Sequence, residues 1–266
     1  MIALETKKLT LTYGEKQIIH NLDIELPKGK ITVFVGSNGC GKSTLLRSLA
    51  RLMKPSNGAI MLDGKKISSM VTKELAKQLA ILPQGPITPE GMTVFQLVKQ
   101  GRYPHQSWLQ QWSKKDEQQV QMALASTHLT EYADQAVDSL SGGQRQRAWI
   151  AMTLAQNTDT ILLDEPTTFL DMTHQIEILD LLAQLNQKEQ RTIVMVLHDL
   201  NMACRYADHI VAIKDQGVYE QGDPKAVITE RLVHDVFHLE SKIVQDPVYG
   251  FPMCIPYSNN RPRARE

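Results

Sequence analysis

Three short runs in this sequence carry residues whose types and spacing could act on a phosphorylated ligand. Gly36-Ser37-Asn38-Gly39-Cys40-Gly41-Lys42-Ser43-Thr44 fits G-x-x-x-x-G-K-[ST]. Its glycines let backbone N–H groups turn inward around phosphate oxygens, and a helix N-terminus behind it adds a dipole. Lys42 reaches the outer phosphates and the Ser43 hydroxyl ligates Mg²⁺. Cys40 reads as a small buried residue within the loop. The second run is Asp164-Glu165, closing the apolar stretch Ile161-Leu162-Leu163. Alternation along a strand sends the two carboxylates in different directions. Asp164 is placed to hold Mg²⁺, directly or through water, and Glu165 to polarise an attacking water as general base. The third run is Leu140-Ser141-Gly142-Gly143-Gln144-Arg145-Gln146-Arg147, followed by the helical stretch Ala148 to Leu154. With Ser141 as N-cap, the N–H groups of Gly142 and Gly143 are free to hold an anion.

These residues need a rigid frame. Ile31-Thr32-Val33-Phe34-Val35, Thr160-Ile161-Leu162-Leu163 and Thr192-Ile193-Val194-Met195-Val196-Leu197 are continuous apolar runs of strand length, as expected for the buried strands of a parallel sheet. The phosphate loop lies between the first of them and a helix predicted over Ser43 to Leu52. Leu9–Tyr13, Ile18-Ile19 and Leu22–Leu26 alternate as strands around a Gly14 turn. Ile60–Leu62 and Ala80–Pro83 are further strands. Ile176, Leu179, Leu182 and Leu185 put one apolar face on a helix over Gln175 to Leu185. Ile210–Ile213 and Gly217–Tyr219 form a hairpin. From about Thr93 to Gln156 long apolar runs give way to Gln, Ala, Leu, Lys and Trp, which reads as a helical lobe inserted into an α/β fold. The tail Asn259 to Glu266 is polar and basic, with the composition of a disordered end.

Composition narrows the function classes. Lys and Arg total 29 and Asp and Glu total 29, a formal net charge of 0, so no broad electrostatic grip on nucleic acid is expected. Cys40, Cys204 and Cys254 are too scattered for a disulfide framework or a zinc cluster, and free thiols fit a reducing compartment. Met1 to Lys8 places charges where a secretion signal needs apolar residues. No apolar run approaches the roughly 20 residues needed to cross a bilayer. The expectation is a soluble cytoplasmic protein that serves a membrane, if at all, by docking on a spanning partner at the membrane's inner face.

Taken together, the phosphate loop, Asp164-Glu165 and above all Leu140-Ser141-Gly142-Gly143-Gln144 resemble the ATPase subunits of ABC transporters. The resemblance implies an α/β fold of the P-loop NTPase (RecA-like) kind: a mostly parallel sheet core, an N-terminal antiparallel β subdomain and an inserted α-helical lobe. It implies one domain over 1–266, with the core and β subdomain in 1–86 and 157–222, the lobe with the signature in 87–156, and a C-terminal extension in 223–266. It also implies ATP and Mg²⁺ as ligands, with Gly36, Ser37, Asn38, Gly39, Cys40, Gly41, Lys42, Ser43 and Thr44 around the phosphates. One chain cannot bring its signature to its own phosphate loop. In the family two copies meet head to tail, and Ser141, Gly142, Gly143 and Gln144 serve the partner's ATP. By the same resemblance, Gln84 senses Mg²⁺ and water and links to the membrane partner, His198 contacts the γ-phosphate, Tyr13 stacks on adenine and Asp171 belongs to the loop at the dimer seam. The usual Ser-Ala-Leu-Asp of that loop is here Thr168-Phe169-Leu170-Asp171, which keeps the aspartate and changes its packing.

A finer resemblance points to cargo. Cys40, Gly101-Arg102-Tyr103-Pro104-His105, the run Pro166 to Gln175 and Asp246 to Pro252 look like ATPases of iron–siderophore, haem and vitamin B12 importers, with ferric siderophores first. The implied partners are a second ATPase copy, membrane-spanning permease subunits and, indirectly, a substrate-binding protein. Alternatives are an ABC ATPase for another cargo, or a soluble one acting on nucleic acid or ribosomes. Chromosome-type members need a long coiled coil between phosphate loop and signature, and no sustained heptads occur there. Translation-type members carry two ATPase domains in one chain. A non-hydrolysing scaffold would normally lack Glu165 or His198. Permease docking is expected near Gln84, between about Ile87 and Trp112, where Trp108, Leu109 and Trp112 are more apolar than a solvated helix requires.

Overall fold

The alternating N-terminus closes into an antiparallel ribbon. In a computed structural model, which describes residues 1–107 and 112–258, β1 (Ile2–Tyr13) turns at Gly14 into β2 (Lys16–Pro27). β1 starts well before the Leu9–Tyr13 alternation because Leu4 and Thr6 continue its buried face, with Thr6 Oγ1 donating to the Leu22 carbonyl at 2.7 Å. β3 (Ile31–Val35) is buried along its whole length. Ile31, Val33 and Val35 enter one apolar cluster and Phe34 the other, so both sheet faces are covered, as parallel strands require. β3 leads into α1 (Lys42–Leu49), which presents Leu45, Leu46 and Leu49 to the cluster shared with the N-terminal ribbon. The predicted helix runs on to Leu52. It stops earlier because Ala50 caps it and Arg51 turns left-handed at φ 58°, its guanidinium reaching the carbonyls of Ile67 and Met70 at 2.9 and 2.6 Å. β4 (Asn57–Leu62) and β5 (Lys65–Lys66) complete a four-stranded sheet in the order β2-β1-β4-β5. α2 (Thr72–Ala76) then leads to β6 (Leu79–Leu82).

Three helices follow: α3 (Val94–Gln100), α4 (Lys114–Ser126) and α5 (Gly142–Ala155). Each opens on a capping box, at Thr93/Gln96, Ser113/Asp116 and Ser141/Gln144, which satisfies two otherwise orphaned N–H groups apiece. The run Gly101–His105 pins them together. A Cβ at Gly101 would collide with the Met152 carbonyl oxygen and lie 3.2 Å from Ala155 Cβ, so only glycine allows this approach to α5. Arg102 is 2% exposed; its Nε meets Asp116 at 2.9 Å and its Nη1 donates to the last turn of α5 at Ala155 O, 2.7 Å away. His105 bonds the Gln156 carbonyl at 2.8 Å. These motif residues therefore act within the fold.

The chain returns to the sheet at β7 (Thr160–Asp164), crosses by α6 (Met172–Glu189) to β8 (Thr192–Val196), and by α7 (Leu200–Tyr206) to β9 (His209–Lys214), which turns back into β10 (Gly217–Gly222). The six-stranded order is β10-β9-β3-β8-β7-β6, parallel throughout except β9–β10. Short helices α8 (Pro224–Val227) and α9 (Glu230–Phe237) lead to a hairpin, β11 (Ser241–Gln245) and β12 (Pro252–Pro256), which the sequence pattern does not announce. Asn201 of α7 clamps it, accepting from Cys254 N–H at 2.7 Å and donating to Cys254 O at 3.2 Å. Arg205 stacks 3.9 Å from the Tyr249 ring. Buried thiols fill the seam; burial and the neighbouring Cys254 push Cys204 up to about 12, so it is inert. Among the described residues no helix is long and apolar enough to cross a membrane. The tail from Asn259 and the pair Trp108 and Leu109 lie outside the described residues.

Candidate active site

The carboxyl ends of β3, β7 and β8 point the functional segments into one crevice, where open α/β sheets hold ligands. The loop after β3 passes through Gly36 at φ 149° and Gly41 at φ 105°, both in the region that favours glycine. A Cβ at Gly36 would come 2.8 Å from Cys40 Sγ and overlap the Ile213 carbonyl; one at Gly41 would press at 3.0 Å on Ile18 and Ile19. The loop is thus wedged between β9 and the N-terminal ribbon, and Cys40 is half-buried packing within it. Asn38 and Gly39 form the exposed tip, and Ser37, Ser43 and Thr44 are half-buried. Lys42 is buried, and its ammonium donates to the carbonyls of Gly36 at 2.8 Å and Ser37 at 2.9 Å. A phosphate is a stronger, charge-assisted acceptor than those carbonyls. A cleft of about 280 Å³ adjoins the loop, lined by Lys16, Ile18, Asn38, Lys214 and His238 among others. Exposed Tyr13 ends β1 opposite Lys16, at the edge of that cleft.

Asp164 and Glu165 have very different surroundings. Asp164 ends β7 at 3% exposure, and its Oδ1 has no hydrogen-bond partner. Burial raises its pKa above the carboxylate range and Glu165 adds to this, while the Ser43 hydroxyl, Arg47 and His198 act in the opposite sense. A buried carboxylate oxygen with a spare lone pair beside a serine hydroxyl fits a hard divalent cation. Among the described residues no group of three or more His, Cys, Asp or Glu could hold a metal ion. The donor set is the sparse one of Mg²⁺, which takes one or two protein oxygens and completes its shell with phosphates and water.

Glu165 has left-handed backbone, φ 53°, and its carboxylate is a hub. Oε1 lies 2.6 Å from His198 Nε2; Oε2 accepts from Gln84 Nε2 at 2.7 Å and Thr168 Oγ1 at 3.0 Å. Gln84 follows β6 and His198 follows β8, so three parallel strands deliver three parts of one cluster. Thr168 was not singled out in the sequence; it stands in the quoted run Pro166–Gln175, and only the fold reveals what it touches.

Ser141 caps α5: its Oγ accepts from Gln144 N at 3.3 Å, and Gln144 Oε1 accepts from Ser141 N at 3.0 Å. This leaves the N–H groups of Gly142 and Gly143 as the donors of the helix end. Their neighbours within the chain are Leu170 and His174, in the segment after Glu165, and not the phosphate loop. Asp171 caps α6, accepting from His174 N at 2.9 Å.

A family model described as ABC transporter matches residues 19–168, more than half of the chain. The chain belongs to the ABC transporter family. It is an ABC ATPase, which binds ATP and couples its hydrolysis to transport. It is 68% identical over 259 residues to the petrobactin import ATP-binding protein FpuD of Bacillus anthracis, covering 97% of this chain and 95% of the relative. The fold is similar to a transporter described as of the metal-chelate ABC type, solved inward-facing, with TM-score 0.85 and 30% identity over 97% of this chain and 99% of that one. It is also similar to a bacterial ABC cassette solved as a dimer, with TM-score 0.73 and 29% identity over 83% of this chain and 98% of that one. ABC cassettes work as dimers and pair with permease subunits. In this cassette the motifs fall into two groups: loop, Asp164, Glu165, Gln84 and His198 at the sheet crevice, and Ser141 to Gln144 beside Asp171. Sequence reasoning missed His174, whose ring covers Gly143; its signal was its place three residues after Asp171, one helical turn on.

Proposed function

We propose that this chain is the ATP-hydrolysing subunit of an iron(III)–siderophore importer, acting as a head-to-tail dimer on the inner face of the membrane. The cargo reading rests on one observation: 68% identity, along nearly the whole chain, to a petrobactin import ATP-binding protein. In the reaction, loop amides and Lys42 orient the phosphates. Glu165 takes a proton from water as the water oxygen attacks the γ-phosphorus and the bond to the β-phosphate oxygen breaks. Gln84 and His198, both on Glu165, hold the base and contact water and the γ-phosphate. Ser43 and Asp164 would hold Mg²⁺, which supplies charge neutralisation on the phosphate oxygens. Tyr13 takes the adenine. Ser141, Gly142, Gly143 and Gln144 are lent to the partner copy's ATP, with Asp171 at the seam. The neighbours of Gly142 and Gly143 within the chain, Leu170 and His174 and not the phosphate loop, support that reading.

Permease docking is assigned to the groove of about 780 Å³ between α2 and α3, lined by Lys73, Lys99, Tyr103, Pro104 and Trp112 among others. Tyr103 is 75% exposed and Ile87 90% exposed, while Trp112 is tied into the lobe by Phe95 and a bond to Glu117. The decisive experiment mixes a Lys42→Ala chain with a Ser141→Arg chain. Each homodimer has two broken sites; the mixed dimer has one whole site, so ATPase activity returns on mixing. Full activity in a strictly monomeric preparation would overturn the dimer model. For the cargo, ferric-siderophore uptake should stop in cells whose only copy carries Glu165→Gln, with uptake of other ABC cargo intact.

A further inference from the structure

Six residues after Glu165 the chain meets its own signature helix, and the contact is unusually close. Asp171 Oδ1 accepts the His174 backbone N–H at 2.9 Å and lies 2.7 Å from the ring Nδ1. Asp171 is held below the usual carboxylate range by these two bonds, so it has no proton to give and Nδ1 is the donor. That bond fixes the ring. Its Cδ2 edge lies over Gly143, where an added Cβ would collide with Cδ2 and sit 2.7 Å from Cγ and 2.9 Å from Nε2. No side chain other than hydrogen fits beneath it. Leu170 adds a contact at 3.9 Å to the position of a Gly142 Cβ, and Arg147 of α5 pairs with Glu177 of α6 at 2.7 Å. At the other end of the same segment, Thr168 holds Glu165 Oε2 at 3.0 Å. A run of ten residues thus joins the base of one catalytic cluster to the donor end of α5.

We propose that His174 is a positioning residue for ATP hydrolysis: anchored by Asp171, its ring locks Gly142 and Gly143 to the segment that carries Glu165. Because a protomer's signature serves the partner's ATP, His174 ties the base of one site to the donors of the other. The inference rests on the head-to-tail reading above. The polarity of the contact favours this role over simple filling. An apolar side chain would cover Gly143 as well, but only a ring with a δ-donor is oriented by Asp171.

Two variants separate the parts. His174→Phe keeps a ring over Gly143 and removes the bond to Asp171; His174→Asn keeps a δ-donor and removes the ring. Both should bind ATP at the Lys42 loop as wild type does, with the equilibrium affinity of the monomer for an ATP analogue and the melting temperature unchanged. Both should lower kcat by about 2- to 30-fold, the size produced by changes along a coupling chain. In a Glu165→Gln background both should raise the ATP concentration needed for dimerisation by a similar factor. Wild-type kcat and dimerisation in the two variants would overturn the proposal, as would losses matched by a fall in melting temperature. If Glu165→Gln alone fails to dimerise with ATP while Lys42-dependent binding is intact, the head-to-tail reading fails first and takes the His174 role with it.

Discussion

Glu165→Gln tests the catalytic cluster most directly, and the structure sets the size of each effect. The carboxylate accepts three bonds, from His198 Nε2 at 2.6 Å, Gln84 Nε2 at 2.7 Å and Thr168 Oγ1 at 3.0 Å. An amide accepts at one end only, so its NH₂ would oppose at least one donor. Turning over the exposed Gln84 amide relieves that opposition, and an unrelieved mismatch would cost about 1–3 kcal/mol. Folding should therefore survive. Loss of the proton acceptor costs about 10²–10⁴-fold in rate. With ATP binding assigned to the loop and Lys42, its affinity should hold. Asp164 should gain: Glu165 is one of the groups raising its pKa, so the variant should need no more Mg²⁺ than wild type for half-maximal nucleotide binding. The assays are steady-state phosphate release, equilibrium binding of an ATP analogue against Mg²⁺, and sizing with ATP, where a lasting dimer should accumulate. Phosphate release within threefold of wild type would remove Glu165 from its role.

Lys42→Ala should weaken ATP binding by more than tenfold, since charge-assisted bonds to phosphate are among the strong ones; an unchanged titration would contradict the loop assignment. Arg102→Ala should destabilise the lobe by about 3–5 kcal/mol by stranding a buried carboxylate, read as a lower, broadened melt. Asp116, held low by the Ser113 and Arg102 bonds that outweigh its burial, contributes stability that is present above the ordinary carboxylate pKa and lost as pH falls through its depressed value, so wild type should lose this stability in acid and Arg102→Ala should lose less. Asp164 has the opposite sign: with its pKa raised, its contribution is full below the ordinary carboxylate value and is lost as pH rises through the folded one. Asp164→Asn should therefore melt higher than wild type at pH 7 without Mg²⁺ and should gain less than wild type when Mg²⁺ and ATP are added.

What the sequence made legible follows from the range of the forces involved. β3, β7 and β8 are buried on both faces, so their apolar runs stood out, and the loop after β3 carries its chemistry in consecutive residues. Ser141 was readable as a cap because capping is local, within three residues. The contacts at Glu165 were not: Gln84 lies 81 positions away, and nothing in its neighbourhood marks it as a carboxylate partner without the family pattern. The C-terminal hairpin was invisible for a related reason. Its strands are short and mixed in burial, and they are held by side chains of α7, with Asn201 standing in for a neighbouring strand. Gly101–His105 was legible as a subfamily resemblance, but what its glycine and arginine do, fastening one helix to another, is set by contacts distant in sequence.

The backbone at Glu165 has an evolutionary consequence. A residue with a Cβ held at φ 53° carries a strain of about 1–2 kcal/mol that glycine would not bear. That strain is offset by the three bonds its carboxylate accepts. A duplicated copy released from the need to hydrolyse ATP would be free to drift to glycine here, while the apolar strand that leads into the site stayed under selection for folding alone. The glutamate is the residue through which disuse of this motor would first become visible.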